Sequence, residues 1–330
     1  MKRVNPEAVW VVQAWQACPH PEMIRHLRNG DMLVLDLFSE SRPQWGDPES
    51  TWYRENGFDG HDWAYCMLLN YGGNVGSFGK LQHVVDEFYK ARSSRFAPTM
   101  RGVGLTMEGI ENNPVMYELV CELPWSTADG NHIVWRDWLS RYVQTRYGNV
   151  TNPKVSEAWL LLARSIYGCP ADNVSQGCRE SVFCARPSLD AKWVSSWAET
   201  VDYYEPDSVI RAAKLMVEAA ADMPANANFR YDLVDITRQA VAERARLVYN
   251  EIVAAYKAHD RKMFRHATQR FLRLLLQQDR LLSSVPDFMV GRWIKQARSI
   301  ATNAAEADHY EWNARTQITV WGNRQAAEQG

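Results

Sequence analysis

The run Met32-Leu-Val-Leu-Asp-Leu-Phe38 carries apolar side chains at both odd and even positions. Successive residues of a strand point to opposite faces, so a run of this kind must be covered on both sides, as strands of parallel sheets are. Short apolar runs at 9–15, 63–70 and 102–107 read as strands too, and a helix is expected over Lys80–Arg92. Another helix, around Pro21–Arg28, stops at Gly30, a residue suited to a helix end. The resulting β-α-β-β-α-β-α order, with long loops after strands, specifies a parallel α/β architecture. Four strands cannot close a (β/α)8 barrel, which needs eight. Either the sheet is open, or residues 1–125 are the second half of a barrel whose first half lies upstream.

After Trp125 the strand signals stop and helical periodicity takes over. Helices are expected over 134–147, 153–167, 206–221, 231–258, 264–282, 287–301 and 304–316, with apolar residues at i, i+3, i+4. Residues 126–322 therefore read as an all-α bundle domain with its own core, followed by a polar tail at 323–330. The segment Gly168–Pro187 is the long irregular insertion.

Net charge is −2 and 46% of residues are hydrophobic, with Lys and Arg dispersed among Asp and Glu. A globular chain follows, without the basic stripe that nucleic acid requires and without an apolar run long enough to span a membrane. Met1-Lys-Arg begins with charge but no apolar core follows, so the N-terminus does not read as a signal peptide. Six cysteines are too few for a disulfide framework at this length. Cys18, Cys66 and Cys121 fall in or near apolar segments and are expected to be buried thiols. Cys169, Cys178 and Cys184 share one loop, match no zinc spacing, and allow a Cys169–Cys178 bridge only in an oxidising compartment. No cofactor motif is present: Gly72-Gly-Asn-Val-Gly-Ser-Phe-Gly79 lacks the Lys-Ser/Thr of a phosphate loop.

Chemistry concentrates where the fourth strand ends. Val103–Leu105 runs into Glu108 beside Gly109, and a helix then opens at Asn112-Asn113-Pro114, with Pro where its missing N–H costs nothing. A carboxylate at the C-terminal end of a barrel strand occupies the catalytic position of such folds, although a solvated strand-end Glu is the plainer reading. Glu111, three residues on, suits the positive helix end better than a second catalytic carboxylate. Asp36, inside an apolar strand, must be paired. It either holds a neighbouring loop or touches substrate. Glu40 lies past the strand end and is less constrained. His61 and Asp62 are adjacent, which puts their side chains on opposite faces. Most of the 14 Trp and 14 Tyr are expected in the core, and a few could stack on sugar rings.

The stretches Ala8-Val-Trp-Val-Val-Gln-Ala-Trp15, Leu33-Val-Leu-Asp-Leu-Phe-Ser-Glu-Ser41, Tyr65-Cys-Met-Leu-Leu-Asn-Tyr-Gly-Gly-Asn74, Gly104-Leu-Thr-Met-Glu-Gly-Ile110, Phe183–Leu189, Phe229–Gln239 and Gln317-Ile-Thr-Val-Trp-Gly322, in that order, resemble the α-N-acetylglucosaminidases, glycoside hydrolases of family 89. The resemblance implies a retaining exo-glycosidase that removes terminal α-linked N-acetylglucosamine, with Glu108 as nucleophile. It also implies a sugar pocket walled by Trp15 and Tyr71, with Leu37 and Leu68 beside them and Trp321 contributed by the helical domain. Cys178 falls where lysosomal members have a pocket His. The family's acid/base Glu, in an Asn-Glu pair on an earlier barrel strand, has no counterpart here. On that basis the chain alone is expected to be an incomplete catalytic unit whose partners are an N-acetylglucosamine-terminated glycan and the first barrel half. Unpaired sheet edges would otherwise invite self-association. Family members are periplasmic, extracellular or lysosomal.

Overall fold

A computed structural model describes residues 1–15, 22, 26–46, 58–69, 76–108, 112–127, 132–171, 181–191, 193–195, 198–199, 203–223 and 225–319. The first part is a four-stranded sheet in sequence order: β1 (Trp10–Ala14), β2 (Met32–Asp36), β3 (Asp62–Met67) and β4 (Met100–Leu105). All three pairings are parallel, with Val12 opposite Val34, Val34 opposite Trp63 and Tyr65 opposite Val103. Helices α1 (Leu81–Ser93) and α2 (Pro114–Glu122) follow β3 and β4. This is the partial (β/α) barrel that the alternation of elements requires.

The register sorts the side chains. Val12, Ala14, Met32, Val34, Trp63, Tyr65 and Met67 share the face packed against the helices and are buried. On the other face Leu33 and Leu35 are half-buried, and Val11 is 53% exposed. Met32–Phe38 is thus not covered equally on both sides as its composition predicts, because no second layer faces Leu33 and Leu35 among the described residues. On that face Gly104 sits against Cys66: a β-carbon there would come within 2.6 Å of the Cys66 sulfur.

Residues beyond Trp125 form helices α3 (Trp135–Arg146), α4 (Pro153–Arg164), α5 (Pro206–Ala219), α6 (Ala227–Lys257), α7 (Arg261–Leu282), α8 (Val290–Ser299) and α9 (Ala304–Gln317). Side-chain caps start four of them: Asn152, Asn226, Asp260 and Asn303 each accept backbone N–H bonds from the first turn. The cap at Asn226 begins α6 four residues earlier than the apolar periodicity indicates. A short antiparallel hairpin, β5 (Trp193–Ser195) with β6 (Ala198–Glu199), interrupts the helical region and is invisible to a period-2 search at that length.

The helical region as far as Ala240 does not own a separate core. One apolar cluster runs without a break from Val12 in β1 through α1–α5 to Ala240 in α6. A polar seam reinforces it. Gly79 N–H donates to Ile166 O (3.3 Å), Leu81 N–H to Tyr167 O (2.9 Å) and Cys169 N–H to Gly79 O (3.1 Å). Residue 79 must be glycine for this contact, since a β-carbon would lie 2.5 Å from the Met116 sulfur and 2.9 Å from the Tyr167 ring. Deeper in the bundle, Arg146 donates to both oxygens of Asp232 at 2.5 and 2.9 Å, and the Tyr147 hydroxyl adds a third bond at 2.7 Å. A buried carboxylate is tolerable only with partners of this quality.

Cys66 is buried as expected, but Cys121 is exposed because it falls on the solvent side of α2, and Cys18 and Cys178 lie outside the described residues. The close fit of Gly104 yields a test. Gly104→Ala should cost about 1–3 kcal/mol through overpacking, and adding Cys66→Ala should recover part of it. Urea unfolding of the single and double variants reads this out, and additive effects would contradict the contact.

Candidate active site

Parallel strands bring their C-terminal ends to one rim, and the sequence loads that rim with unusual residues. Trp15 follows β1, Leu37 follows β2, Leu68 follows β3, and Thr106 and Glu108 follow β4. Trp15 is half-buried and packs on Phe38, ring centroids 6.1 Å apart and planes at 39°. Leu68 is buried, Leu37 is half-buried, and Glu108 is exposed.

Thr106 ties the rim together. Its N–H donates to Met67 O at 3.0 Å, and its hydroxyl lies 2.8 Å from Leu37 O and 3.2 Å from Met67 O. The residue two before Glu108 is therefore hydrogen-bonded to the ends of β2 and β3. Nothing in the sequence pattern singles out Thr106. Its role follows from being the first residue beyond β4 whose side chain can still reach two strands back.

Asn113 closes the turn on the far side. It sits at φ 49°, a left-handed conformation that Asn tolerates better than most residues, and is fully buried. Its Oδ1 accepts from Phe78 N–H at 3.0 Å and from the Tyr167 hydroxyl at 3.2 Å, while its Nδ2 donates to Gly76 O at 3.1 Å. One amide thus joins the turn after β4, the segment leading into α1, and the helical region.

Two buried carboxylates hold the loops of this rim, each with one oxygen accepting two consecutive backbone N–H groups. Asp36 Oδ2 takes those of Gln44 (2.9 Å) and Trp45 (3.0 Å), which seats Trp45 in a stack on Trp63 at 5.9 Å. Of the two readings open for Asp36, the structure supports loop-holding. Glu40 Oε1 takes those of Leu68 (3.0 Å) and Leu69 (2.6 Å). Its expected looseness is wrong: the side chain is 2% exposed and fixed from β3, a contact 28 residues away that local patterns cannot reveal. Burial pushes Asp36 up to about 7 and Glu40 up to about 8, opposed by these N–H bonds and, for Glu40, by the charge of buried Lys80.

His61 and Asp62 lie at the opposite, N-terminal end of β3. His61 is buried, and Asp62 pairs with Arg101 at 2.6 Å. They take no part in the rim. Tyr71, Glu111, Cys178 and Trp321 lie outside the described residues, as does the glycine run 72–75. Among the described residues no group of His, Cys, Asp and Glu could hold a metal, and no helix is long and apolar enough to cross a membrane.

A carboxylate and apolar or aromatic side chains on the C-terminal rim of parallel strands occupy the place where proteins of the (β/α)-barrel class carry their functional groups. Residues 1–127 match the model of the α-N-acetylglucosaminidase tim-barrel domain, and residues 138–329 match that of the α-N-acetylglucosaminidase C-terminal domain. The chain belongs to this family of glycoside hydrolases. It is 36% identical to human α-N-acetylglucosaminidase over 334 aligned positions, covering 98% of this chain and 42% of the human protein. The family 89 glycoside hydrolase from Clostridium perfringens in complex with PUGNAc superimposes with a TM-score of 0.86 at 31% identity, over 99% of this chain and 36% of that one. The same bacterial enzyme, with two glutamates replaced by glutamine and in complex with its substrate GlcNAc-α-1,4-galactose, gives 0.86 at 30% over the same shares. The chain therefore spans well under half the length of these relatives.

The raised carboxylates predict a pH dependence. Between their ordinary values near 4 and their folded values of about 7 and 8, the folded chain keeps protons that the unfolded chain has released. Their contribution to stability is full below about pH 4 and is lost as pH rises through about 7 to 8. Thermal unfolding midpoints should be higher near pH 5 than near pH 8, and Asp36→Asn should flatten the slope. A wild-type midpoint that climbs from pH 5 to 8, unaltered by Asp36→Asn, would contradict the assignment.

Proposed function

We propose that this chain carries the nucleophile-bearing part of a retaining exo-α-N-acetylglucosaminidase site, with Glu108 as nucleophile. The supporting observation is the rim itself. Glu108 is exposed just beyond β4, with the preceding turn anchored by Thr106 to β2 and β3 and the apolar residues Trp15, Leu37 and Leu68 at the adjacent strand ends. In retaining glycosidases a carboxylate attacks C1 to give a glycosyl-enzyme, and a second carboxyl about 5 Å away protonates the leaving oxygen and then activates water. Glu108 is assigned the first role. By resemblance, Trp15 and Tyr71 are assigned as the aromatic walls of the pyranose site with Leu37 and Leu68 beside them, Trp321 as a further pocket residue, and Cys178 as the position that matches a pocket His. The substrate class is a glycan ending in α-linked N-acetylglucosamine, in keeping with the ligand of the bacterial relative.

The second carboxyl, by resemblance, belongs to an earlier barrel strand without a counterpart in this sequence. Without an acid the leaving oxygen departs unprotonated, which slows turnover by roughly 10²–10⁴-fold. The outer edges of β1 and β4 are where further barrel strands, or a second copy of the chain, would pair, and exposed Val9 and Val11 flank the first of them.

An activated fluoroglycoside of N-acetylglucosamine, whose leaving group needs no proton, separates nucleophile from acid. It should label the chain at Glu108, found by peptide mass, with no label on Glu108→Gln. Turnover of an unactivated glycoside should stay near background. Label on a different carboxylate refutes the nucleophile, and sugar binding without any label favours a non-catalytic carbohydrate-binding module.

A further inference from the structure

Leu68 and Leu69 are the last described residues before the segment that carries Tyr71, and their backbone is unusual. Leu69 has φ 63°, a left-handed conformation that a leucine keeps only where its surroundings impose it. Just before it, two successive N–H groups converge on one point, a small concavity suited to an acceptor oxygen. Glu40 Oε1 fills it, at 3.0 and 2.6 Å. Both leucines are 1% exposed, so without Glu40 these N–H groups would have no water to turn to. The far end of the same segment is gripped as well, with Phe78 N–H and Gly76 O bonded to the side chain of Asn113. Glu40 Oε2 has no hydrogen-bond partner among the described residues, so one oxygen does the holding.

We propose that Glu40 is a positioning residue for the sugar pocket: by clamping the Leu68 and Leu69 amides it fixes Leu68 and the backbone at the C-terminal end of β3, where the pocket is assigned. The inference rests on the glycosidase reading for its consequence, and on the hydrogen bonds alone for the clamp. Glu40 touches no substrate in this assignment. An amide oxygen can accept the same two bonds, so Glu40→Gln should rescue what Glu40→Ala loses.

The test uses the full chain as wild type, Glu40→Gln, Glu40→Ala and a stability control, Leu119→Ala, which empties a buried site in α2. Amide exchange is read at Leu68 and Leu69, with Val34 and Leu35 as references, and N-acetylglucosamine binding is titrated. Glu40→Ala should speed exchange at Leu68 and Leu69 by about tenfold or more, the scale of stripping buried amides of their acceptor. It should leave Val34 and Leu35 protected and weaken sugar binding by a similar factor. Glu40→Gln should stay within about twofold of wild type in both readouts. Leu119→Ala should lower the melting temperature without selectively exposing Leu68 and Leu69 or weakening the sugar. Unchanged exchange at Leu68 and Leu69 in Glu40→Ala, or equal loss of binding in Leu119→Ala, overturns the proposal. A wild-type chain that binds no N-acetylglucosamine counts against the glycosidase reading instead, while the exchange data still decide the clamp.

Discussion

Where parallel strands end, their last N–H and C=O groups lose the neighbour that the ladder supplied, and buried groups of this kind must find partners. The rim of this sheet answers that requirement with side chains. Asp36, Glu40, Thr106 and Asn113 each bind two or more main-chain atoms of other segments or of the strand ends themselves. Glu108 and the apolar residues around it inherit their places from this lattice. The site is a surface feature of a backbone-satisfaction problem solved underneath it.

That division explains what could be read in the sequence. The strands and most helices follow from local periodicity, and the parallel order follows from helices placed between apolar runs. Glu108 stands out because a strand, a carboxylate and a Pro-opened helix succeed one another within a dozen residues. Glu40 and Thr106 do not, because their meaning lies in partners 28 and 69 residues away, and a Glu after a strand has the same local statistics whether clamped or solvated. Asp36 was half legible, its burial evident but its partners Gln44 and Trp45 not. The hairpin of β5 and β6 escaped because two or three residues carry no measurable period. Membership of the α-N-acetylglucosaminidase family was legible as an ordered series of short matches, and the family models match residues 1–127 and 138–329.

The apparent division at Trp125 is one of element type, and the packing ignores it. Aromatic residues from both sides interlock: Phe78 stands edge-on to Tyr203, Tyr89 stacks on His132, and the Tyr89 hydroxyl reaches Ser126 and the Ile133 N–H. With one shared cluster of buried side chains, loosening the sheet exposes apolar surface on α1 and α2 that the bundle also relies on.

The seam at Gly79 has an evolutionary corollary. A backbone that passes between Met116 and Tyr167 with no room for a methyl group is a shape match among three elements, α1, α2 and the turn after α4. Such a match cannot be transplanted piecemeal. Recombination that exchanged the helical region with that of a distant homologue would have to bring the complement of Ile166–Cys169 with it. Otherwise it would leave Gly79 and Leu81 facing a surface of the wrong form. The two regions are therefore bound to diverge together, each constraining the drift of the other at a boundary far from the chemistry.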